Sequence, residues 1–175
     1  VALKDGYVEF EVVEGAEYGN ALIAVKNAGG TILWSWHIWL CDFDPETSAY
    51  RAGNGILLMD RNLGATMAEV NNEASRGRAS GMLYQWGRKD PFNRIVITHI
   101  RAYYGSVEET FAEPTYITQH WTWLDNGNGV RGLWSPNRKT TYDPCPPGWK
   151  VPDREAWDGA SVYDYNDYSV RVRHT

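Results

Sequence analysis

Large apolar and acidic residues alternate through Tyr7-Val8-Glu9-Phe10-Glu11-Val12-Val13, the two-residue period of a half-buried strand. Ala21 to Val25 is a short apolar run of the same type, and Asn27-Ala28-Gly29-Gly30 separates it from Ile32-Leu33-Trp34-Ser35-Trp36-His37-Ile38-Trp39-Leu40. The two runs predict a β-hairpin whose turn residues tolerate positive φ. Along its second strand Trp34 and Trp36 share one face, and His37 and Trp39 share the other. Pro45 to Asn54 reads as a loop and Gly55 to Asp60 as a further short strand. Between Leu63 and Gly81 the best helical stretch lies around Ala65 to Ala74, with poor caps. Asn93 to Asn137 is irregular and dotted with Gly and Pro, and Tyr168 to Arg173 returns to strand alternation.

The segment DPCPPGWKVP, Asp143 to Pro152, follows neither period. Pro144, Pro146 and Pro147 fix their own φ, remove backbone donors and push the preceding residues toward extended geometry. Gly148 then allows a sharp bend that delivers Trp149 to the interior. The expectation is a stiff strap ending in an aromatic anchor.

Composition sharpens this picture. The chain has 175 residues, 43% hydrophobic and 22% charged, which suits one globular domain with a real core. Nine tryptophans, eleven tyrosines and seventeen glycines point to a turn-rich, strand-bearing protein packed around large aromatics, with little helix. A net charge of −5, with no basic run longer than Arg88-Lys89 or Arg138-Lys139, argues against a nucleic-acid surface. The apolar stretches are far shorter than a membrane span, and no basic-then-apolar leader opens the chain, which reads as a mature fragment or a soluble intracellular protein.

Candidate chemistry is sparse. Cys41 and Cys145 lack the spacing of a zinc site or a redox pair, and spacing leaves a bridge and two free thiols equally open. Trp34, Trp36, Trp39 and His37 read as aromatic packing with a satisfied histidine rather than as a ligand site. Asp60-Arg61-Asn62 offers a polar clamp, but an ion pair holding a turn is the favoured reading, and Arg88-Lys89-Asp90-Pro91 is read the same way. Asp125-Asn126-Gly127-Asn128-Gly129 packs oxygen donors suited to calcium, yet it lacks EF-hand spacing and reads better as a plain turn. No nucleophile elbow, phosphate loop or metal triad appears. Tyr163-Asp164-Tyr165-Asn166-Asp167-Tyr168 carries the residue types that give binding surfaces rigid amphipathic area and adaptable hydrogen bonds. Its alternative is a polar strand-loop with tyrosines packed on a neighbouring sheet.

Taken in order, GNALIAVKNAGGTILWSWHIWL, LMDRNLGA, GMLYQWGRKDPF, YDPCPPGWKVPDREAW and the closing SVRVR resemble the Fibrobacter succinogenes major paralogous domain, as found in fimbrillin-like surface proteins of Bacteroidales. DRNLGA, LYQWGR and CPPGWKVP in combination are far more specific than any one alone. The resemblance implies an α+β fold of the C-type lectin-like, formylglycine-generating-enzyme-like kind, strand- and loop-rich with few short helices. It makes DPCPPGWKVP the family's strap, leading into a short helix at Asp153 to Trp157. It also implies a cell-surface or extracellular location, outer-membrane-anchored or fimbrial. Two departures stand out. Val172 occupies the place where the family's closing strand carries a cysteine, so that bridge to Cys145 cannot form, and a replacement Cys41–Cys145 bridge is conceivable. Only eleven residues separate Trp157 from Ser169, fewer than the family usually has.

Glu113-Pro114 and Trp123-Leu124-Asp125 faintly resemble the calcium elements of sugar-binding C-type lectins without matching them fully. The Tyr163–Tyr168 stretch is similar to the variable segment of diversity-generating-retroelement proteins, which share the fold. The expectation is thus a single domain over 1–175, compatible with the C-terminal part of a longer surface protein. It is a non-catalytic, adhesin-like ligand-binding module with no cofactor and no metal. Its ligand face is Tyr163, Asp164, Tyr165, Asn166, Asp167 and Tyr168 together with Trp121, Trp123, Asn126 and Asn128. Expected partners are a host or bacterial surface protein or glycan, and fimbrial subunits, with no nucleic acid and no direct membrane insertion. A structural fimbrial subunit and a formylglycine-generating-type enzyme are the alternatives.

Overall fold

The computed structural model describes residues 1–92, 100–101, 106–114, 117–118, 132–153 and 155–157. Within them the expected hairpin forms. Strand β3 (Gly19–Lys26) pairs antiparallel with β4 (Ile32–Leu40), with Leu22 opposite His37 and Ala24 opposite Ser35. The turn closes where the Gly30 amide donates to Asn27 O (3.0 Å) and the Thr31 amide to Asn27 Oδ1 (2.9 Å), so Asn27 terminates the ladder with backbone and side chain together. The register slips between Val25 and Lys26, a bulge of the kind that re-aims side chains beside a twisted turn.

Upstream, β1 (Ala2–Lys4) pairs with β2 (Tyr7–Glu9). Asp5 and Gly6 both hold positive φ (50° and 82°), the geometry of a two-residue hairpin turn. The strand expected over Tyr7–Val13 is therefore shorter and more exposed than its alternation implied: it ends at Glu9, and Tyr7, Phe10, Val12 and Val13 are all exposed. A third hairpin, β5 (Tyr50–Arg51) with β6 (Leu57–Leu58), corrects the reading of Pro45 to Asn54 as all loop. Its loop is Gly53-Asn54-Gly55, closed by the Gly55 amide on Ala52 O and the Ala52 amide on Ile56 O (2.8 Å each), with Gly55 at positive φ (86°).

The helix expected around Ala65 to Ala74 lies further along, as α1 (Glu73–Ala79). The reason is capping. Asn72 accepts from the Ser75 amide (2.9 Å) while Ser75 Oγ accepts from the Asn72 amide (2.9 Å), a reciprocal cap that fixes the start. Ala65 is instead a fully buried turn residue whose carbonyl receives Trp39 Nε1 (3.0 Å). A second helix, α2 (Val107–Ala112), capped by Ser106, and a parallel pair, β7 (Ile100–Arg101) with β8 (Ile117–Thr118), fall in the stretch read as irregular. The short helix expected at Asp153 to Trp157 appears as a 3-10 turn at Glu155–Trp157, whose Ala156 amide donates to Asp153 Oδ1 (3.0 Å). The expected closing strand at Tyr168 to Arg173 lies outside the described residues.

The protein is thus α+β, strand-rich in small two-stranded sheets with few short helices. One apolar cluster, Tyr50, Ala52, Leu58 and Ala156, ties the β5–β6 hairpin to the turn that follows the strap, and Asn54 Nδ2 bonds Glu155 O (2.9 Å) beside it. Among the described residues no helix is long and apolar enough to cross a membrane.

Gly81 is where the DRNLGA and GMLYQWGR motifs meet. It holds φ +70°, and a Cβ there would sit 2.5 Å from Leu63 O and 3.0 Å from Asn62 Cβ. The carbonyl cannot retreat, because it accepts the Met82 amide (2.9 Å). Gly81→Ala should therefore destabilise the domain by about 2 kcal/mol, through left-handed strain and backbone collision. Urea denaturation checks this, and an unchanged midpoint would contradict it.

Candidate functional site

All ten residues expected to form the ligand face, Trp121, Trp123, Asn126, Asn128 and Tyr163, Asp164, Tyr165, Asn166, Asp167, Tyr168, lie outside the described residues, as does the Asp125–Gly129 loop. The structure instead shows what the motif residues do, and they assemble three polar centres that knit the chain together.

The first centre sits under β4. Ser35, 1% exposed, donates through Oγ to Asp90 Oδ2 (2.7 Å). Lys89 Nζ places its three protons on Ser35 O, Ser35 Oγ and Asp90 Oδ2, each at 2.7 Å. The ammonium lies 4.5 Å from the Trp34 ring centroid and 5.9 Å from that of Phe111. Trp34 meets Phe111 edge-on at 4.8 Å, and Phe111 stacks on Tyr142 at 5.9 Å, which brings α2 against β4. Burial lowers the Lys89 pKa, and Asp90 opposes that shift. Beside them Arg88 is buried, donating Nη2 to Pro114 O (2.7 Å) and lying 4.4 Å over the Phe92 ring. Arg88-Lys89-Asp90 is thus a framework cluster.

A serine 2.7 Å from a lysine invites a catalytic reading, but here the hydroxyl proton is held by Asp90 and every ammonium proton has an acceptor. Ser35 is also closed to solvent. What the arrangement achieves is mechanical: it fixes β4, the 88–92 loop and, through the aromatics, α2. Ser35 was not singled out in the sequence. Its signal was a lone small polar residue between tryptophans in an apolar strand, which demands a buried partner.

The second centre contains His37. Its Nε2 lies 2.8 Å from Asn20 Oδ1 and its Nδ1 3.1 Å from Tyr84 Oη. Asn20 Nδ2 donates to Gly64 O (2.8 Å), which leaves its oxygen as acceptor and assigns the ring proton to Nε2. The neutral ring is satisfied on both nitrogens, as expected for a structural histidine. Burial lowers its pKa, with Asp90 a smaller opposing influence, and burial raises that of Tyr84, keeping the phenol a donor. Because the folded state disfavours the imidazolium, neutral His37 contributes its full stability above about pH 6.5, and that contribution is lost as pH falls through the lower folded value. An NMR titration should place His37 below 6.5. Titration at or above that value would contradict the assigned network.

The third centre is the strap. Asp143, its side chain wholly buried, accepts from the Cys145 amide on Oδ1 and the Val151 amide on Oδ2 (2.9 Å each), and pairs with Lys139 Nζ at 2.9 Å. Lys139 also reaches Cys145 O. Inside this clasp the chain turns at Gly148 (φ 84°), with the Trp149 amide on Pro146 O (3.0 Å). Trp149 meets Phe43 edge-on at 5.5 Å, and Phe43 carries Arg61 at 5.8 Å from its ring centroid. Arg61, its side chain 4% exposed, is forked onto Asp60 (2.7 and 3.0 Å) and also pairs with Asp42. Those carboxylates raise its pKa further, and Arg61 in turn lowers that of Asp42. Asp60-Arg61 is thus the structural pair expected.

Not every motif aromatic is core. Trp36 leaves 38% of its surface in solvent, which corrects its reading as aromatic packing, and the motif residue Trp86 leaves 40%. Trp36 follows the buried Ser35 on a strand that pairs only with β3 among the described residues, and Trp86 leans at 6.4 Å on Trp134. Cys41 and Cys145 are both free, and burial, aided by Asp143, pushes the Cys145 thiol up to about 12. Among the described residues no group of three or more His, Cys, Asp or Glu side chains is placed to hold a metal ion. No family model matches the chain, and neither a curated protein nor a solved structure does.

Proposed function

We propose that the chain is a non-catalytic, adhesin-like ligand-binding module of the cell surface, built on a C-type lectin-like scaffold, with its ligand face on the Trp121–Asn128 and Tyr163–Tyr168 stretches. The observation that carries this reading is that the motif side chains are spent on holding the frame. Asp90, Arg61 and Asp143 have side chains 5%, 4% and 0% exposed, and they bind respectively to Ser35 of β4 and Lys89, to Asp42 and Asp60, and to Lys139 and the strap amides of Cys145 and Val151. A frame so closed leaves recognition to segments outside the motifs, where residues can vary without unfolding the domain. The family resemblance supplies the class of partner, a host or bacterial surface protein or a glycan, and the diversification by a retroelement. A glycan and host-protein array probed with the purified domain tests it. Saturable binding supports the reading, and no binder across both arrays weighs against it.

A structural fimbrial subunit is favoured by one specific feature. Leu3 and Val8 sit opposite each other in the β1–β2 register, and Leu3 is exposed along with Val1 and Phe10, which flank the pair. The occupant that suits this patch is a second subunit of the same chain, and sedimentation shows whether the domain self-associates. The enzyme alternative has no observation that favours it among the described residues, where burial, aided by Asp143, pushes the Cys145 thiol up. Copper-dependent oxidation of a cysteine-containing peptide by the domain would overturn the non-catalytic reading.

A further inference from the structure

Asp90 uses only half of its carboxylate. Oδ2 accepts from both Ser35 Oγ and Lys89 Nζ, whereas Oδ1 is buried and meets no donor among the described residues. A buried carboxylate oxygen left bare costs free energy that native proteins rarely concede. A small cleft opens beside it, lined by Gly87, Lys89, Asp90, Thr110, Phe111 and Tyr142, with Arg88 completing the wall. Its volume of about 10 Å³ is the room one water needs and no more.

Size and charge together select the occupant. Arg88 and Lys89 on the wall oppose a sodium or ammonium ion, and Asp90 opposes an anion. A neutral molecule that donates a hydrogen bond meets both conditions. We propose that one water molecule is an integral part of the centre, donating to Asp90 Oδ1 and bridging toward α2 at Thr110, with the Tyr142 hydroxyl its other available partner. Thr110 Oγ1 spends its own proton on Val107 O, so its lone pairs are free to accept the second water proton. The bridge would tie the 88–92 loop to α2 just before Pro114, where the chain enters the stretch carrying Trp121 and Asn128. The water would thus help anchor the root of the proposed ligand loop.

Magnetic relaxation dispersion of water nuclei on the purified domain, with a high-resolution crystal structure, tests this. The expected result is a long-lived water whose density lies within hydrogen-bond distance of Asp90 Oδ1. That water should be missing from the triple variant Ser35→Ala, Lys89→Met, Asp90→Leu, which replaces the polar centre with apolar groups. Exchanging sodium for ammonium or choline at equal ionic strength should leave the melting temperature unchanged. A bare Oδ1, a cation in the cleft, stabilisation specific to sodium or ammonium, or the same water persisting in the triple variant would each overturn the proposal.

Discussion

Replacing Asp90 by Ala should lower the unfolding free energy by about 3–5 kcal/mol, the range seen when one partner of a buried ion pair is removed. Lys89 is 10% exposed and Asp90 supplies the carboxylate against its ammonium, so the variant strands a cation among Trp34, Phe111 and the β4 backbone. Ser35 Oγ loses its acceptor at the same stroke. For a chain of this size each kcal/mol is worth roughly 2–4 °C, so the melting temperature should fall by about 6 to 20 °C. The triple variant, in which no charge is left behind, should come much closer to the wild type, since buried ion pairs are often neutral relative to well-packed apolar replacements. Calorimetry on the two variants decides it. Equal losses in both would mean that packing, not charge compensation, is what Asp90 provides.

Asp143→Ala should cost about 2–4 kcal/mol, from two charge-assisted hydrogen bonds and the desolvation of the groups left unpaired. The strap explains why so much rests on one carboxylate. Its four prolines donate nothing, so few amides are available to fix its path, and Asp143 gathers two of them, Cys145 and Val151, from opposite ends. Without it the turn that seats Trp149 on Phe43 has no clasp. Asp143→Asn, which keeps the shape but offers one acceptor oxygen, should fall between. Near-UV circular dichroism follows the Trp149 environment, and full retention of its signal in the Ala variant at wild-type stability would contradict this account.

The parts of this fold legible in the sequence were those set by local chemistry. The β3–β4 hairpin was written in apolar runs flanking Asn27-Ala28-Gly29-Gly30, the strap in its prolines, and the Asp60–Arg61 pair in adjacency. Asp5-Gly6 and Asn54-Gly55 carried turn signals for two further hairpins, and the two- and three-residue strands around them were too short to show a period. Helix α1 starts later than the alanine content implies because the Asn72–Ser75 cap sets its first turn. The Ser35–Lys89–Asp90 and His37–Asn20–Tyr84 centres join residues far apart in the chain, which no local period reports. The proposed lectin-like arrangement rests on motifs alone, and the candidate ligand residues on composition.

The central claim is a division of labour: motif residues hold the frame, and the Trp121–Asn128 and Tyr163–Tyr168 stretches bind. It is tested most directly by titrating a ligand found on the arrays against Tyr163→Ala, Tyr165→Ala and Tyr168→Ala, with Trp36→Ala and Trp86→Ala as exposed framework controls and a thermal melt of each. The account predicts that each tyrosine variant loses about 1–2 kcal/mol of binding, roughly 5- to 30-fold in Kd, at an unchanged melting temperature, while the tryptophan controls bind as the wild type does. Tyrosine variants that melt early and bind weakly only because they unfold, or binding lost in the tryptophan controls instead, would contradict it.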